Sequence, residues 1–124
     1  MKKVLIVDDR AEIRKLVQMT LELGDFEFME AADGPTALHL IRSAQPDVVL
    51  LDIMMPGGLD GLDVCKTVKA DRTIRSRIVL LTARGQQKDV EDGLKAGADA
   101  YLVKPFSPLE LIDTVERLTQ GAAA

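Results

Sequence analysis

The sequence of 124 residues contains one cysteine, no tryptophan and few aromatic residues, which make up 3% of the chain. A single cysteine, Cys65, excludes a disulfide within the chain and a metal cluster built from cysteines. No apolar run approaches the ~18 residues of a membrane helix, and Val4–Val7 is shorter than the apolar segment of a secretory signal. These absences predict a cytoplasmic protein with no membrane partner.

Positive charge is also scarce, because 16 Lys and Arg residues face 20 Asp and Glu residues and leave a net charge of −4. Proteins that bind nucleic acid usually carry a basic surface, so we expect no direct contact between this domain and nucleic acid. The length fits one domain that buries roughly two-thirds of its unfolded surface. We predict a domain over residues 1–119 and a short tail of small residues over 120–124.

Short apolar runs alternate along the chain with segments of helical periodicity. This alternation predicts an α/β fold in which helices cover both faces of a parallel sheet. The near-continuous runs of Val, Leu and Ile suit strands that are buried on both sides. Glu27 and Glu30 interrupt the second run, and they indicate that this strand lies at an edge of the sheet.

Four of the apolar runs end in polar residues. These are Asp8 and Asp9 after the first run, Asp52 after the third, Thr82 after the fourth and Lys104 after the fifth. Parallel strands present their carboxyl ends at one edge, and ligands bind there at the point where the strand order reverses. With the order 2-1-3-4-5, the three aspartates would face one another across that crevice.

Three carboxylates in a small cleft repel one another. At ~5 Å and an effective dielectric constant near 20, each pair costs roughly 3 kcal/mol, which a divalent cation would offset. Oxygen ligands without His or Cys favour a hard ion, and Mg²⁺ leaves room for phosphate oxygens when it binds carboxylates. The pattern predicts a Mg²⁺ site that accepts a phosphoryl group, with Mn²⁺ as the expected substitute.

The remaining strand-end residues suit phosphoryl transfer. Asp52 can act as a nucleophile and form an aspartyl phosphate, while Lys104 and Thr82 can stabilise phosphoryl oxygens. Ala83 is small enough to let a donor approach. Both the metal ion and Lys104 would favour the ionised form of Asp52, so no general base is needed.

As an ordered set, these motifs resemble a response-regulator receiver domain of two-component signalling. The resemblance covers residues 2 to about 119 and rests on Asp8–Asp9, Asp52–Pro56, Thr82–Ala83 and Tyr101–Phe106. It implies a doubly wound (βα)5 fold of the flavodoxin-like type, with five parallel strands in the order 2-1-3-4-5. It also implies a signalling switch that catalyses only its own phosphoryl transfer and dephosphorylation.

The resemblance implies a role for each site residue. Asp52 would be the phosphoacceptor, and Lys104 would pair with its carboxylate and then with the phosphoryl group. Asp9 would bind Mg²⁺ directly, Asp8 mainly through water, and Met54 through its backbone carbonyl. The donor would be a phosphohistidine on a histidine kinase or a phosphotransfer protein.

The resemblance further implies a switch made by Thr82 and Tyr101. Their movement would reshape the face formed by helix four, strand five and helix five, which would contact an output partner, an effector domain or a second copy of the phosphorylated chain. Expected members of that face are Arg84, Val90, Lys95 and Phe106. The Lys104–Pro105 bond is expected to be cis, as X-Pro bonds can be at modest cost.

One segment departs from the family pattern, because the loop over residues 55–61 looks one residue longer than usual. The adjacent Gly57 and Gly58 predict an altered and more mobile loop, which affects the partner surface rather than the acceptor. Met54 and Arg84 would flank the path of the water that hydrolyses the phosphate, and would tune its lifetime.

Each residue also has a structural interpretation. Asp9 and Glu12 fit a capping box at the start of a helix, and Thr82 fits a helix cap. Cys65 fits a core position, and His39 has no second histidine to form a metal site.

Three other functions remain as alternatives. A haloacid-dehalogenase-type phosphatase would need a second aspartate where Met54 stands, and a flavin carrier would need a phosphate-binding loop where Asp8 and Asp9 stand. A receiver that acts only as a phosphate-independent docking module is the third.

Overall fold

Strands and helices alternate along the whole of the described chain. The computed structural model describes residues 1–55, 57–83 and 87–120. The elements are β1 (Lys2–Val7), α1 (Ala11–Leu21), β2 (Phe26–Ala31), α2 (Gly34–Ala44), β3 (Val48–Asp52), α3 (Gly61–Ala70), β4 (Arg77–Ala83), α4 (Gln87–Lys95), β5 (Ala100–Lys104) and α5 (Pro108–Gln120). All the predicted elements are therefore present, and their ends differ from the predictions by a few residues.

The five strands form one parallel sheet in the order β2-β1-β3-β4-β5. The inner strand β1 pairs with both β2 and β3, so the strand order reverses between β1 and β3. This confirms the predicted doubly wound fold, and it confirms the edge position of β2. The crevice of the reversal lies beyond the register partners Val7, the last residue of β1, and Leu51, the next-to-last residue of β3.

Each face of the sheet has its own apolar core, because alternate strand residues point to opposite faces. Leu5 and Val7 of β1 join a cluster that includes Ile41 of α2 and Cys65 of α3. The intervening strand residues, among them Ile6, pack in a second cluster with residues of α1 and α5. The two-sided burial accounts for the apolar runs of the central strands and leaves polar residues only at the strand ends.

Cys65 is fully buried within the first cluster. Desolvation raises the pKa of its thiol to about 11, so the side chain behaves as a core residue, as the sequence predicted. No helix within the described segments has the length and apolar character needed to span a bilayer. Residues 121–124 lie outside the described residues, so the predicted boundary at 119 and the predicted tail stay predictions.

Candidate functional site

Three aspartates meet at the carboxyl edge of the sheet, where β1 and β3 end side by side. Asp8 and Asp9 directly follow β1, and Asp52 is the last residue of β3. Each offers a carboxylate oxygen, and these atoms all lie within 4.8 Å of one another. Asp8 is 0% exposed and Asp52 is 6% exposed, whereas Asp9 is exposed. The juxtaposition predicted from the strand ends is therefore present.

The Lys104 side chain reaches this cluster from the end of β5. Its Nζ lies 3.0 Å from Asp8 Oδ2 and 3.5 Å from Asp52 Oδ1. On β4, which separates β5 from β3, Ala83 is the register partner of Lys104. The shorter contact is to Asp8, the more buried of the two carboxylates, because a fully desolvated charge gains most from a cation.

Burial controls the acidity of Asp52. Desolvation raises the pKa of this carboxyl, the Lys104 ammonium lowers it by a smaller amount, and the negative charge of Asp8 raises it further. Lys104 lowers the pKa of Asp52 as expected, but burial raises that pKa by more. The effect of burial on Asp52 could not be predicted from the sequence, since only the fold shows how completely the neighbouring elements cover the end of β3.

Thr82 and Tyr101 lie on adjacent strands but in different environments. Thr82 is buried near the end of β4, where its hydroxyl donates a hydrogen bond to the Ala83 carbonyl. Thr82 lies inside β4, and residues 84–86 before α4 lie outside the described residues, so the alternative that it caps a helix stays untested. Tyr101, on β5, is 45% exposed.

The start of α1 differs from the capping box that was considered for Asp9. The N-cap residue is Arg10, and no side chain caps this helix, so that alternative is wrong. Asp8 makes the local contact instead, since its Oδ1 accepts a hydrogen bond of 2.9 Å from the Arg10 backbone N–H. Arg14, which the sequence analysis missed, donates from Nη1 to the Asp8 carbonyl oxygen at 2.7 Å.

An open cleft of about 480 Å³ lies between Asp9 and the loop that follows β3. The cleft is lined by Asp9, Met54, Met55, Gly57, Gly58, Asp60 and Asp63. Gly57 has φ +93°, a conformation that favours glycine. Pro56 lies outside the described residues, and the expected mobility of this loop stays a prediction.

The start of α3 holds the loop against the end of β3. Asp60 and Asp63 form a reciprocal capping box, with hydrogen bonds of 3.1 Å and 2.9 Å. A Cβ atom on Gly61 would clash with the backbone oxygen of Asp52. Only glycine allows this close approach, so the first turn of α3 can lie directly against the end of β3.

Comparison with known proteins identifies the family. The chain matches the family profile of the response regulator receiver domain over residues 4–116. The chain belongs to the response-regulator receiver family. This membership agrees with the predicted resemblance, and it shows that the chain is a receiver domain of two-component response regulators.

Two relatives and one solved structure illustrate the match of the receiver domain. The chain is 48% identical over 125 residues to a probable transcriptional regulator, ycf27, of Guillardia theta. The alignment covers 98% of this chain and 48% of the relative. The chain is 40% identical over 121 residues to the transcriptional regulatory protein ResD of Bacillus subtilis, with coverage of 98% and 49%. The chain therefore spans about half the length of the curated relatives it matches.

The structural likeness extends over nearly the whole domain. A putative response regulator from Chloroflexus aurantiacus superimposes with a TM-score of 0.89 at 34% sequence identity, and the match covers 95% of this chain and 97% of the other. The receiver domain also has the expected cis bond between Lys104 and Pro105. Within the expected output face, Val90 and Phe106 are half-buried and Lys95 is exposed, while Arg84 lies outside the described residues.

The donor atoms of the site fit a hard divalent cation. Within the described segments, Asp8, Asp9 and Asp52 form a group of carboxylates that could hold a metal ion. A set of carboxylate oxygens without thiol or imidazole ligands suits Mg²⁺ or Mn²⁺ rather than a softer transition metal. The exposed Asp9 gives such an ion access from solvent.

Proposed function

We propose that this receiver domain accepts a phosphoryl group on Asp52, with Mg²⁺ as its cofactor, and thereby switches an output surface. One observation carries the proposal. The Asp52 carboxylate lies beside both a cation and two further carboxylates, with Lys104 Nζ at 3.5 Å and ligand atoms of Asp8 and Asp9 within 4.8 Å. Phosphoryl transfer to a carboxylate needs a nucleophile and positive charge at the phosphoryl oxygens. Lys104 would supply part of that charge, and a divalent cation held by the carboxylates would supply the rest.

In the proposed reaction, an Asp52 carboxylate oxygen attacks the phosphorus of a phosphohistidine. A P–O bond forms as the P–N bond breaks, and the histidine nitrogen leaves with the bonding electron pair. The product is an aspartyl phosphate. Lys104 then pairs with a phosphoryl oxygen, and the small side chain of Ala83 leaves room for the donor.

We assign the metal site to the Asp9 and Asp52 carboxylates and the Met54 backbone carbonyl, with Asp8 acting mainly through water. When bound, Mg²⁺ would neutralise negative charge on the phosphoryl oxygens. Mn²⁺ would substitute, because it also prefers oxygen ligands. Lys104 Nζ lies 3.0 Å from Asp8 Oδ2, so it would still balance the charge of the buried Asp8 carboxylate after the metal ion leaves.

The proposed switch couples Thr82 to Tyr101. Thr82 would donate its hydroxyl to the new phosphoryl group, and Tyr101 would turn inward from its 45% exposed position. Moving a population from 1:99 to 99:1 requires about 5.5 kcal/mol, and one charge-assisted hydrogen bond supplies about 1.5–3 kcal/mol. Lys104, Thr82 and the metal ion would therefore act together.

The output surface is the face made by α4, β5 and α5. It exposes apolar side chains at Tyr101 and Val103 of β5 and at Leu109 of α5, which suit contact with an effector domain, an output partner or a second phosphorylated copy. Tyr101→Ala should leave phosphorylation intact and weaken this contact. Equal affinity of the phosphorylated wild type and variant for the output partner would contradict the switch role.

The proposed setting is a cytoplasmic phosphorelay in which a histidine kinase or phosphotransfer protein supplies the phosphoryl group. The single Cys65 is free and buried, and a chain without disulfides suits that compartment. The domain, assigned to residues 1–119, would not touch nucleic acid or membrane itself. It would also hydrolyse its own aspartyl phosphate, with Met54 beside the path of the attacking water.

The test is incubation of the protein with Mg²⁺ and acetyl phosphate, followed by intact mass measurement. We expect one phosphoryl increment, which a chelator abolishes and Asp52→Asn lacks. Asp60→Asn is the matched control, since asparagine caps a helix as well as aspartate does, and it should gain the increment. A wild-type protein that never gains it would support the phosphate-independent docking module instead.

A further inference from the structure

A half-buried arginine joins α1 and β2 to the backbone of the metal site. Arg14 donates from Nη1 to the Asp8 carbonyl oxygen at 2.7 Å and from Nε to Glu30 Oε1 at 3.0 Å. Its side chain is 17% exposed, and that of Glu30 is 46% exposed. The planar guanidinium can hold both acceptors at once because its donors form a rigid fork.

The contact lies on the peptide group that links Asp8 to Asp9. The Asp8 carboxylate is held on both oxygens, by the Arg10 backbone N–H at 2.9 Å and by Lys104 Nζ at 3.0 Å. Within the described residues, the exposed Asp9 side chain has no hydrogen bond or ion pair. The direction of the Asp9 carboxylate therefore depends on the backbone that carries it.

We propose that Arg14 is a positioning residue for the metal site, which orients the Asp8–Asp9 peptide and hence the Asp9 carboxylate, with Glu30 aiming the guanidinium. The inference rests on the proposed function, since it concerns Mg²⁺ bound by these aspartates. Groups that orient metal ligands in this indirect way commonly change metal affinity by about tenfold or more when they are removed.

A purely electrostatic role for Arg14 predicts the opposite sign. A positive charge near the aspartates repels a divalent cation, so loss of that charge alone would strengthen Mg²⁺ binding. Arg14→Lys keeps the charge but loses the fork that joins the two acceptors. The signs of the Arg14→Ala and Arg14→Lys effects therefore separate positioning from charge.

The experiment is a calorimetric titration of Mg²⁺ into the metal-free protein and its variants. We expect Arg14→Lys and Arg14→Ala to bind Mg²⁺ about tenfold more weakly and Glu30→Gln to bind about twofold more weakly. Lys15→Ala is the matched control, because it removes an exposed cation from the same helix, and it should bind as tightly as the wild type or slightly more tightly.

A second readout follows the backbone without any metal. In the metal-free protein, the amide NMR signals of Asp9 and Arg10 should move in Arg14→Lys and Glu30→Gln, and should stay in place in Lys15→Ala. These two conservative variants keep the test sharp even if Arg14→Ala does not fold.

The outcomes separate the two proposals. If wild type binds Mg²⁺ and Arg14→Lys binds it equally well, or if Arg14→Ala binds it more tightly, the positioning role is wrong and the proposed function stands. A wild type that binds no Mg²⁺ overturns both.

Discussion

The two edges of the sheet balance their charges in opposite ways. At the amino edge, where β4 begins, the Asp99 carboxylate accepts hydrogen bonds from Lys69 Nζ at 2.7 Å and from the Ile78 backbone N–H at 2.7 Å. Arg77 Nη1 adds a further contact at 3.4 Å. One carboxylate thus has two cations and a backbone donor, and its charge is fully compensated.

At the carboxyl edge the ratio is reversed. Lys104 is shared between Asp8 and Asp52, and Asp9 adds a third carboxylate. In the described part of the chain, no other side-chain cation pairs with these three carboxylates. The amino edge therefore stabilises the fold, whereas the carboxyl edge keeps an excess of negative charge that a divalent cation can neutralise.

The largest expected effect on stability is at the amino edge. Asp99→Ala should lower the free energy of unfolding by about 3 kcal/mol, because it leaves Lys69 without its ion pair and the Ile78 N–H without its acceptor. Urea denaturation monitored by circular dichroism measures this change. A loss below about 0.5 kcal/mol would show that the amino-edge pair behaves like an exposed surface pair.

The next effect is the stabilisation of the protein when the carboxyl edge binds Mg²⁺. Mg²⁺ at a concentration 100 times its dissociation constant should stabilise the wild type by about 2.7 kcal/mol. The same addition should do much less for Asp9→Asn, which removes a proposed ligand charge. Thermal melts with Mg²⁺ and with a chelator give the comparison, and equal shifts in both proteins would exclude Asp9 as a ligand.

Removal of a negative charge at the carboxyl edge should stabilise the metal-free fold. Since burial raises the pKa of Asp52, protonation of this group favours the folded state, and its stabilising contribution is lost as the pH rises through the raised pKa. Asp52→Asn should therefore melt a few degrees higher than wild type at pH 7. The gain should shrink as the pH falls and Asp52 becomes protonated in both the folded and the unfolded state. A lower melting temperature at pH 7 would contradict the burial argument.

The smallest effect concerns the reactivity of the Cys65 thiol, which lies near the amino edge. Cys65 is buried beside Lys69 and Asp99, and its pKa is raised to about 11. It should react with a thiol reagent at pH 8 only as fast as the protein unfolds, and Asp99→Ala should accelerate the reaction. Rapid labelling of the native wild type would mean that this region opens independently of global unfolding.

The fold and the members of the site were predictable because both follow from local patterns. Buried strands need apolar runs, and parallel strands bring their carboxyl ends to one edge, so Asp8, Asp52 and Lys104 could be placed together. The chain order of these polar residues then indicated the family.

Other features depend on packing between distant segments, which no local pattern reports. The preference of Lys104 for Asp8 and the raised pKa of Asp52 both arise from burial in the finished fold. The bridge from Arg14 to Glu30 depends on how α1 lies against β2. An arginine on an amphipathic helix is usually a solvated residue, so its sequence position carried no clear signal.

The most direct test of the contrast between the two edges is a Mg²⁺ titration of the isotopically labelled protein followed by NMR. The account predicts that amide signals shift around Asp8–Arg10, Asp52–Met54 and Lys104, while those of Lys69, Ile78 and Asp99 stay in place. Shifts centred on the amino edge, or none at the carboxyl edge at millimolar Mg²⁺, would contradict it.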